Sequence, residues 1–316
     1  MYRIMVPATS ANIGSGFDSS GVALRLYNTV YLDEGNSVDI LSLDDSAAVP
    51  RGAGNLIYRT ANALFAKAGM KLSGLTLRQR NNIPMTRGLG SSSACIVAGL
   101  LGANALMGGR YTRGELMDIA AGMEGHPDNV IPAFTGGFST SVMGEGKKVV
   151  TTRFDIEQTL QFVAFVPPFE LKTSVARDAL PKTVSHADAV YNLSRSGLLT
   201  AAFASKDYRL LKEAARDRLH QPYRLSMIDG AAEVIEISES LGALAVYISG
   251  AGPTVMAIVS PDNKEFGRRI SDEMGKNAGT SVYKSIWLTA DNTGAVIESI
   301  DETIDDLRYI IDSVKK

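Results

Sequence analysis

The chain is short of the residues that would mark several protein classes. Its 316 residues include one cysteine, Cys95, and one tryptophan. An internal disulfide is therefore excluded, and a lone thiol among apolar neighbours reads as a small core residue rather than a nucleophile. Charge of one sign is missing too: 32 Lys and Arg against 34 Asp and Glu leave a net −2, which offers nothing to a polyanion or an anionic membrane surface. No nucleic-acid partner and no membrane partner are expected. The longest apolar stretch, 94–107, is interrupted by Gly99, Gly102 and Asn104 and falls short of the ~20 residues a membrane span needs. Pro7 and Thr9 arrive before any apolar run of signal-peptide length, so a cytoplasmic protein is the expectation.

What is present suffices for about two domains and a sizeable core, since 45% of the residues are hydrophobic and domains usually run to ~150 residues. Short apolar runs bounded by Gly, Ser and Asn predict strands near 2–6, 28–32, 38–43 and 75–79. Helices are expected near 56–68, with Ile57, Ala61, Leu64, Phe65 and Ala68 on one face, near 93–107 before Gly108 and Gly109, and near 113–123. A strand at 162–166 closes on Pro167 and Pro168, and the domain boundary is placed there, giving domains 1–165 and 166–316. Beyond it the pattern predicts helices near 189–204, 208–215, 228–241 and 264–275. An apolar segment, 244–259, is broken by a glycine loop; a strand at 285–288 and an amphipathic helix near 302–314 follow. The class is α+β, with no internal repeat.

Three loops could carry chemistry. The first, P-M-T-R-G-L-G-S-S-S-A at 84–94, opens directly into a helix. Glycines there allow close backbone approach, the first helical N–H groups have no intrahelical partner, and the helix dipole favours a nearby anion by about 0.3–1 kcal/mol. A phosphate site and a plain serine cap on a buried helix both fit this composition. No lysine follows the glycines, so the loop is not a Walker A sequence, and no G-x-S-x-G occurs to support a serine hydrolase. The second loop, PATSANIGSGFD at 7–18, ends a strand in small polar residues with one carboxylate, which suits either a turn or a small polar ligand. The third, SGAGPT at 249–254, is either a hairpin connection or a glycine loop lining a site.

In this order and spacing the three loops resemble the signature motifs of the GHMP kinases, the small-molecule kinases of galactose, homoserine, mevalonate and phosphomevalonate. Within that superfamily PATSANIGSGFD, HPDN at 126–129, KTSVARDALP at 172–181, HQPYR at 220–224 and SGAGPT resemble the homoserine kinases, across nearly the whole chain. The resemblance implies an N-terminal ATP-binding domain with the ribosomal protein S5 domain 2-like fold and a C-terminal substrate-binding domain with a ferredoxin-like α+β sandwich. It implies ATP and Mg2+ as cofactors, L-homoserine as the small-molecule substrate, and a homodimer as a form the family often takes.

By the same resemblance Pro84, Arg87, Gly88, Leu89, Gly90, Ser91, Ser92, Ser93 and Ala94 bind the nucleotide. Ser92 and Glu124 serve the metal, with Asp118 a competing alignment for the acidic partner. Asn55 lies where relatives approach the adenosine, although a helix cap explains it equally. Asn12, Asp18, His126, Asp128, Asn129, Thr173, Arg177 and Arg224 form the substrate pocket: the two arginines for the carboxylate, where a planar guanidinium makes paired bonds, Asp18 for the ammonium, and Asn129 for the hydroxyl. Asn129, Asp128, Ser92 and Glu124 are the catalytic candidates. The implied reaction is ATP-dependent phosphorylation of the L-homoserine hydroxyl. Its rivals are a GHMP kinase for another small alcohol such as mevalonate, which has no ammonium for Asp18, and a catalytically silent relative that senses a ligand.

Overall fold

A computed structural model describes residues 1–44 and 49–301; the helix expected near 302–314 lies outside them. The chain runs β1 (Tyr2–Ala11), β2 (Ser20–Glu34), β3 (Val38–Ser42), α1 (Leu56–Lys67), β4 (Leu75–Asn81), α2 (Ser91–Leu106), α3 (Arg113–Glu124), α4 (Val130–Thr135), β5 (Phe138–Met143) and β6 (Val149–Phe154). It continues through β7 (Gln161–Val166), α5 (Thr173–Asp178), α6 (His186–Ser205), α7 (Leu211–Ala214), α8 (Gln221–Leu225), α9 (Ala231–Ser240), β8 (Ala245–Ile248), β9 (Val255–Val259), α10 (Lys264–Gly275), α11 (Ala278–Ser281), β10 (Lys284–Thr289) and β11 (Val296–Ser299). None of the described helices is long and apolar enough to cross a membrane.

The first sheet has the order β11-β1-β2-β4-β3, and a β5–β6 hairpin branches from the start of β2. Helix α2 lies on β1 and is buried almost all round, as an apolar helix without a polar face must be. Its glycines explain the fit. A Cβ on Gly99 would meet Ile57 O of α1 at 2.7 Å, and one on Gly102 would meet Leu32 of β2 at 2.9 Å. Both neighbours can therefore approach α2 only because those side chains are missing. Helix α1 docks its Ile57, Ala61, Leu64 and Phe65 face as the periodicity predicts. Helix α3 begins at a Thr112–Glu115 capping box and stops at left-handed Gly125, which leaves Glu124 and His126 at its end.

The second sheet is antiparallel in the order β10-β7-β9-β8. In chain order that is 4-1-3-2, the order of the expected ferredoxin-like sandwich. Its central strands read as unbroken apolar runs because both faces are covered. Phe162, Ala164, Met256 and Ile258 join the core of the first domain, while Val163, Phe165, Val255 and Ala257 pack with Val234 of α9 and Phe266, Ile270 and Met274 of α10.

Two expectations need correction. The boundary placed at 165/166 falls inside β7, whose whole length pairs with β9 and β10, and the second domain does not keep the rest of the chain. Strand β11 returns to pair with β1, Met5 opposite Val296. The segment 7–11, expected as loop, continues β1 to Ala11 across a register shift between Pro7 and Ala8, the kind of irregularity at which a strand tolerates proline. The β5–β6 hairpin was not anticipated, although the run Val149-Val150-Thr151-Thr152 carries a β-branched strand signal.

Candidate active site

Between the two sheets lies a cleft of about 320 Å³, lined by the three glycine-bearing loops and by the ends of α3, α5 and α8. The loop before α2 forms one end of it. Gly88 and Gly90 are left-handed, with φ of 76° and 71°. A Cβ on Gly90 would sit 1.9 Å from Thr9 Oγ1, and one on Gly88 would sit 2.3 Å from Ser249 O, so only glycine fits either place. Gly90 is also the cap of α2, and no side chain bonds to the helix start. The serine-cap alternative is thereby excluded. Ser91, Ser92 and Ser93 line the cleft beside N–H groups that no side chain caps, which is the arrangement that holds an anion.

Not every residue expected at this end faces it. Leu89 and Ala94 point into the core, being fully or almost fully buried, and Pro84 is not part of the cleft wall; Leu89 contributes its carbonyl, which accepts from Thr9 N–H at 3.1 Å. Arg87 lines the cleft, but its guanidinium donates to Pro167 O and Pro168 O and pairs with Glu170, tying the loop to the second domain. Asn55 caps α1: its oxygen accepts from Ile57 and Tyr58 N–H, and its nitrogen donates to Pro50 O at 3.1 Å and Gln79 Oε1 at 2.9 Å. With every amide position used, its side chain has nothing left for a base. The chain of amides goes on, however. Gln79 Nε2 donates to Asn81 Oδ1 at 3.0 Å, which turns Asn81 Nδ2 away with no partner among the described residues although it is buried, on a residue of the cleft wall. No motif pointed to Asn81; only the relay singles it out.

Glu124 sits across from Ser92, accepts from Ser93 Oγ at 3.2 Å and has no Lys or Arg ion pair among the described residues. Burial pushes its carboxyl above the usual range, against the pull of His126 and the serine hydroxyls. A half-buried carboxylate and a hydroxyl are hard oxygen donors that suit Mg2+. Asp118, the alternative, accepts from Val149 N–H at 2.7 Å and is not in the cleft wall. Cys95 does reach the wall, but burial pushes its thiol up to about 12, so it offers no thiolate.

The other end of the cleft is charged. Asp18 and Arg177, from β1–β2 loop and α5, form a two-bonded pair with both N–O distances at 2.9 Å. Burial alone would raise the Asp18 carboxyl, but Arg177, His126 and Arg224 outweigh it and hold it below the ordinary carboxylate range. His126 Nδ1 meets Asp128 Oδ1 at 2.5 Å. Burial would lower the imidazole, yet the bond to Asp128 and its charge, with Asp18 and Glu124, raise it. Asp18, His126 and Asp128 each offer an oxygen or nitrogen atom within 4.8 Å of the others, two carboxylates around one imidazole. Asn129 Oδ1 accepts from Thr9 Oγ1 at 2.7 Å, so its nitrogen faces Asp128 and the cleft. Thr173 lines the wall from the first turn of α5.

Asn12 is in the wall but acts as a staple. Its oxygen accepts from Asp18 N–H at 3.0 Å and its nitrogen donates to Gly250 O at 2.8 Å. It holds a loop in which Asn12, Ile13 and Asp18 are all left-handed, a conformation that a β-branched residue such as Ile13 adopts only when its surroundings impose it. Arg224 differs from its neighbours. It is 1% exposed, its Nε and Nη1 are spent on Ala176 O, Gly250 O and His220 Nδ1, and no carboxylate pairs with it among the described residues. A buried cation without a counter-ion is costly unless an anion arrives from outside.

Comparison with known proteins places the chain in a family. Residues 55–137 match the GHMP kinases N terminal domain, and residues 199–279 match the GHMP kinases C terminal domain. The chain is 39% identical over 304 residues to a homoserine kinase of Caldicellulosiruptor bescii, covering 96% of this chain and 99% of that one. It is 41% identical over 298 residues to a homoserine kinase of Clostridium beijerinckii, covering 94% and 98%. Among solved structures, a homoserine kinase from Cytophaga hutchinsonii superposes with a TM-score of 0.79 at 26% identity, covering 94% of this chain and 96% of that one.

Proposed function

The chain belongs to the homoserine kinase family of the GHMP kinases, and we propose that it transfers the γ-phosphoryl group of ATP to the side-chain hydroxyl of L-homoserine, a step toward threonine, in the cytoplasm where ATP is supplied. The observation that carries the substrate is the unpaired, buried Arg224 facing the same cleft as the Asp18–Arg177 pair. A molecule with one carboxylate and one ammonium completes that set: the carboxylate joins Arg224 and Arg177, and the ammonium joins Asp18. Mevalonate, which has no ammonium, would leave Asp18 only the Arg177 guanidinium that it already has.

The phosphates of ATP lie on the loop from Gly88 to Ser93, and Asn81 Nδ2 donates to an acceptor atom of the base. Ser92 and Glu124 would hold Mg2+, which when bound would neutralise charge on the phosphates. Phosphoryl transfer passes through a loose transition state, so the protein's work is alignment and charge neutralisation. Asn129, held by Thr9 and Asp128, directs its amide nitrogen at the substrate hydroxyl. His126 shares the proton on Nδ1 with Asp128 and keeps that carboxylate in place beside Asn129. Thr173 closes the wall over the substrate.

The test is ADP release from Mg-ATP with L-homoserine, L-serine, mevalonate, shikimate and galactose, the product identified by phosphorus NMR. Release with homoserine alone is the expected result. Release with another alcohol keeps the kinase and discards the substrate; ATP binding without release favours a ligand sensor.

A further inference from the structure

His220 takes no part in the chemistry above, yet it is fully buried at the seam between the substrate loop and α8. Its Nε2 lies 2.8 Å from Gly14 O and its Nδ1 lies 3.1 Å from Arg224 Nη1. A carbonyl can only accept and a guanidinium can only donate, so both neighbours demand the same form of the ring: neutral, protonated on Nε2, with Nδ1 as acceptor. Burial, together with the Arg224 charge, lowers the imidazole and keeps it neutral against the pull of Asp217. Phe17 stacks on the ring at 4.9 Å and also lies 5.2 Å from the Arg224 guanidinium.

We propose that His220 is a positioning residue that sets the affinity for the substrate carboxylate by aiming Arg224. Gly14 belongs to the loop that carries Asp18, so one imidazole fixes the ammonium-binding loop and the carboxylate-binding arginine relative to each other. Three neutral acceptors, His220 Nδ1, Gly250 O and Ala176 O, occupy Nη1 and Nε, which leaves the Nη2 edge of the guanidinium for the ligand. His220 thereby sets the charge spacing that the pocket accepts. This inference rests on the homoserine kinase reading.

Two substitutions separate the two bonds. H220Q can still donate to Gly14 O but offers Arg224 no acceptor, whereas H220N places a carboxamide oxygen near the Nδ1 position and gives up Gly14. H220Q is expected to raise KM for homoserine about tenfold, the usual worth of a charge-assisted hydrogen bond, with KM for ATP and kcat within about twofold. H220N should stay within about threefold of the unsubstituted enzyme. The inhibition constant of 3-aminopropan-1-ol, which has the hydroxyl and ammonium but no carboxylate, should be the same in the unsubstituted enzyme and in H220Q, which keeps the bond to Gly14 O. A parallel rise in KM for ATP, an equal loss for 3-aminopropan-1-ol, or H220N as poor as H220Q would each overturn the proposal in favour of a packing role. Nitrogen-15 NMR of the unsubstituted protein, which has three histidines, reads the ring directly and needs neither a folded variant nor turnover: a His220 protonated on Nδ1 would also overturn it. If the enzyme does not turn over homoserine at all, it is the functional reading that fails, and the NMR result still decides whether His220 serves Arg224.

Discussion

At the nucleotide end of the cleft the protein presents backbone: two left-handed glycines and a helix start that no side chain caps. At the substrate end it presents charged side chains from separate segments, already bonded to one another, as in Asp18 with Arg177 and His126 with Asp128. The difference follows from the ligands. A triphosphate is a large, uniform charge that any row of N–H groups can hold, and its site can be built from one continuous stretch of chain. A small zwitterion has two opposite charges a few bonds apart, so its site needs both signs at a set spacing, and those signs neutralise each other until the ligand separates them. Arg224 is the exception at that end, having no carboxylate partner among the described residues, and most of the pull on the substrate should come from it.

Arg224→Ala gives the sharpest break between the two ends. It should raise KM for homoserine by about 10²–10³-fold, as expected when one partner of a buried charge interaction is removed, with KM for ATP nearly unchanged. Arg177→Ala should act in the same direction but by only about tenfold, because that arginine is 41% exposed and its pair is partly screened. Equal effects on both substrates would merge the two ends and remove the assignment. At the nucleotide end Ser92→Ala should lower kcat by about a hundredfold and leave KM for homoserine in place; undiminished turnover would mean that the hydroxyl is idle and the backbone does all the work.

Smaller effects test residues that line the cleft without serving a ligand. Asn55→Ala should cost about 1 kcal/mol as a lost helix cap, seen as ~2–4 °C in Tm, with no change in KM for ATP. A raised KM would restore Asn55 as a nucleotide contact. The smallest effect is in pH. Because His126 is raised in the folded protein, its pairing with Asp128 stabilises fully below the ordinary imidazole pKa of about 6.5 and is lost as pH rises through the raised value. The Tm difference between the unsubstituted protein and His126→Gln should therefore be largest in mild acid and shrink on the alkaline side. A difference that grows with pH would contradict a charged His126.

Legibility differed between the two ends for a physical reason. The loop at 84–94 could be read because glycine spacing, small serines and a following helix are all local, and each is set by backbone conformation. Even there the side-chain directions were not local: Leu89 and Ala94 fell to the core because they precede and begin a helix buried on all sides. Asn55 looked equally like a cap or a ligand contact until its four hydrogen bonds could be counted. Asn81 lay in no motif, and Thr9 and His220 lay inside PATSANIGSGFD and HQPYR without being singled out as site residues. Their roles come from contacts that a linear pattern does not show: Asn129 for Thr9, Gly14 together with Arg224 for His220, and for Asn81 a relay whose last donor is left over. The domain boundary was misplaced for a similar reason, since β11 pairs with a strand almost the whole chain away.

By itself the sequence determined the class of fold, the positions of most helices and strands, the glycine- and serine-rich loop that opens α2 and the family to which those motifs point. These depend on periodicity, turn chemistry and short contiguous patterns, which do not need the rest of the chain. The tertiary structure decided which side chains have spare hydrogen-bonding capacity, which cation lacks a counter-ion, and which carboxylate, Glu124 rather than Asp118, faces the phosphate loop. Those are questions of what remains after every neighbour has been satisfied, and the neighbours come from both sheets.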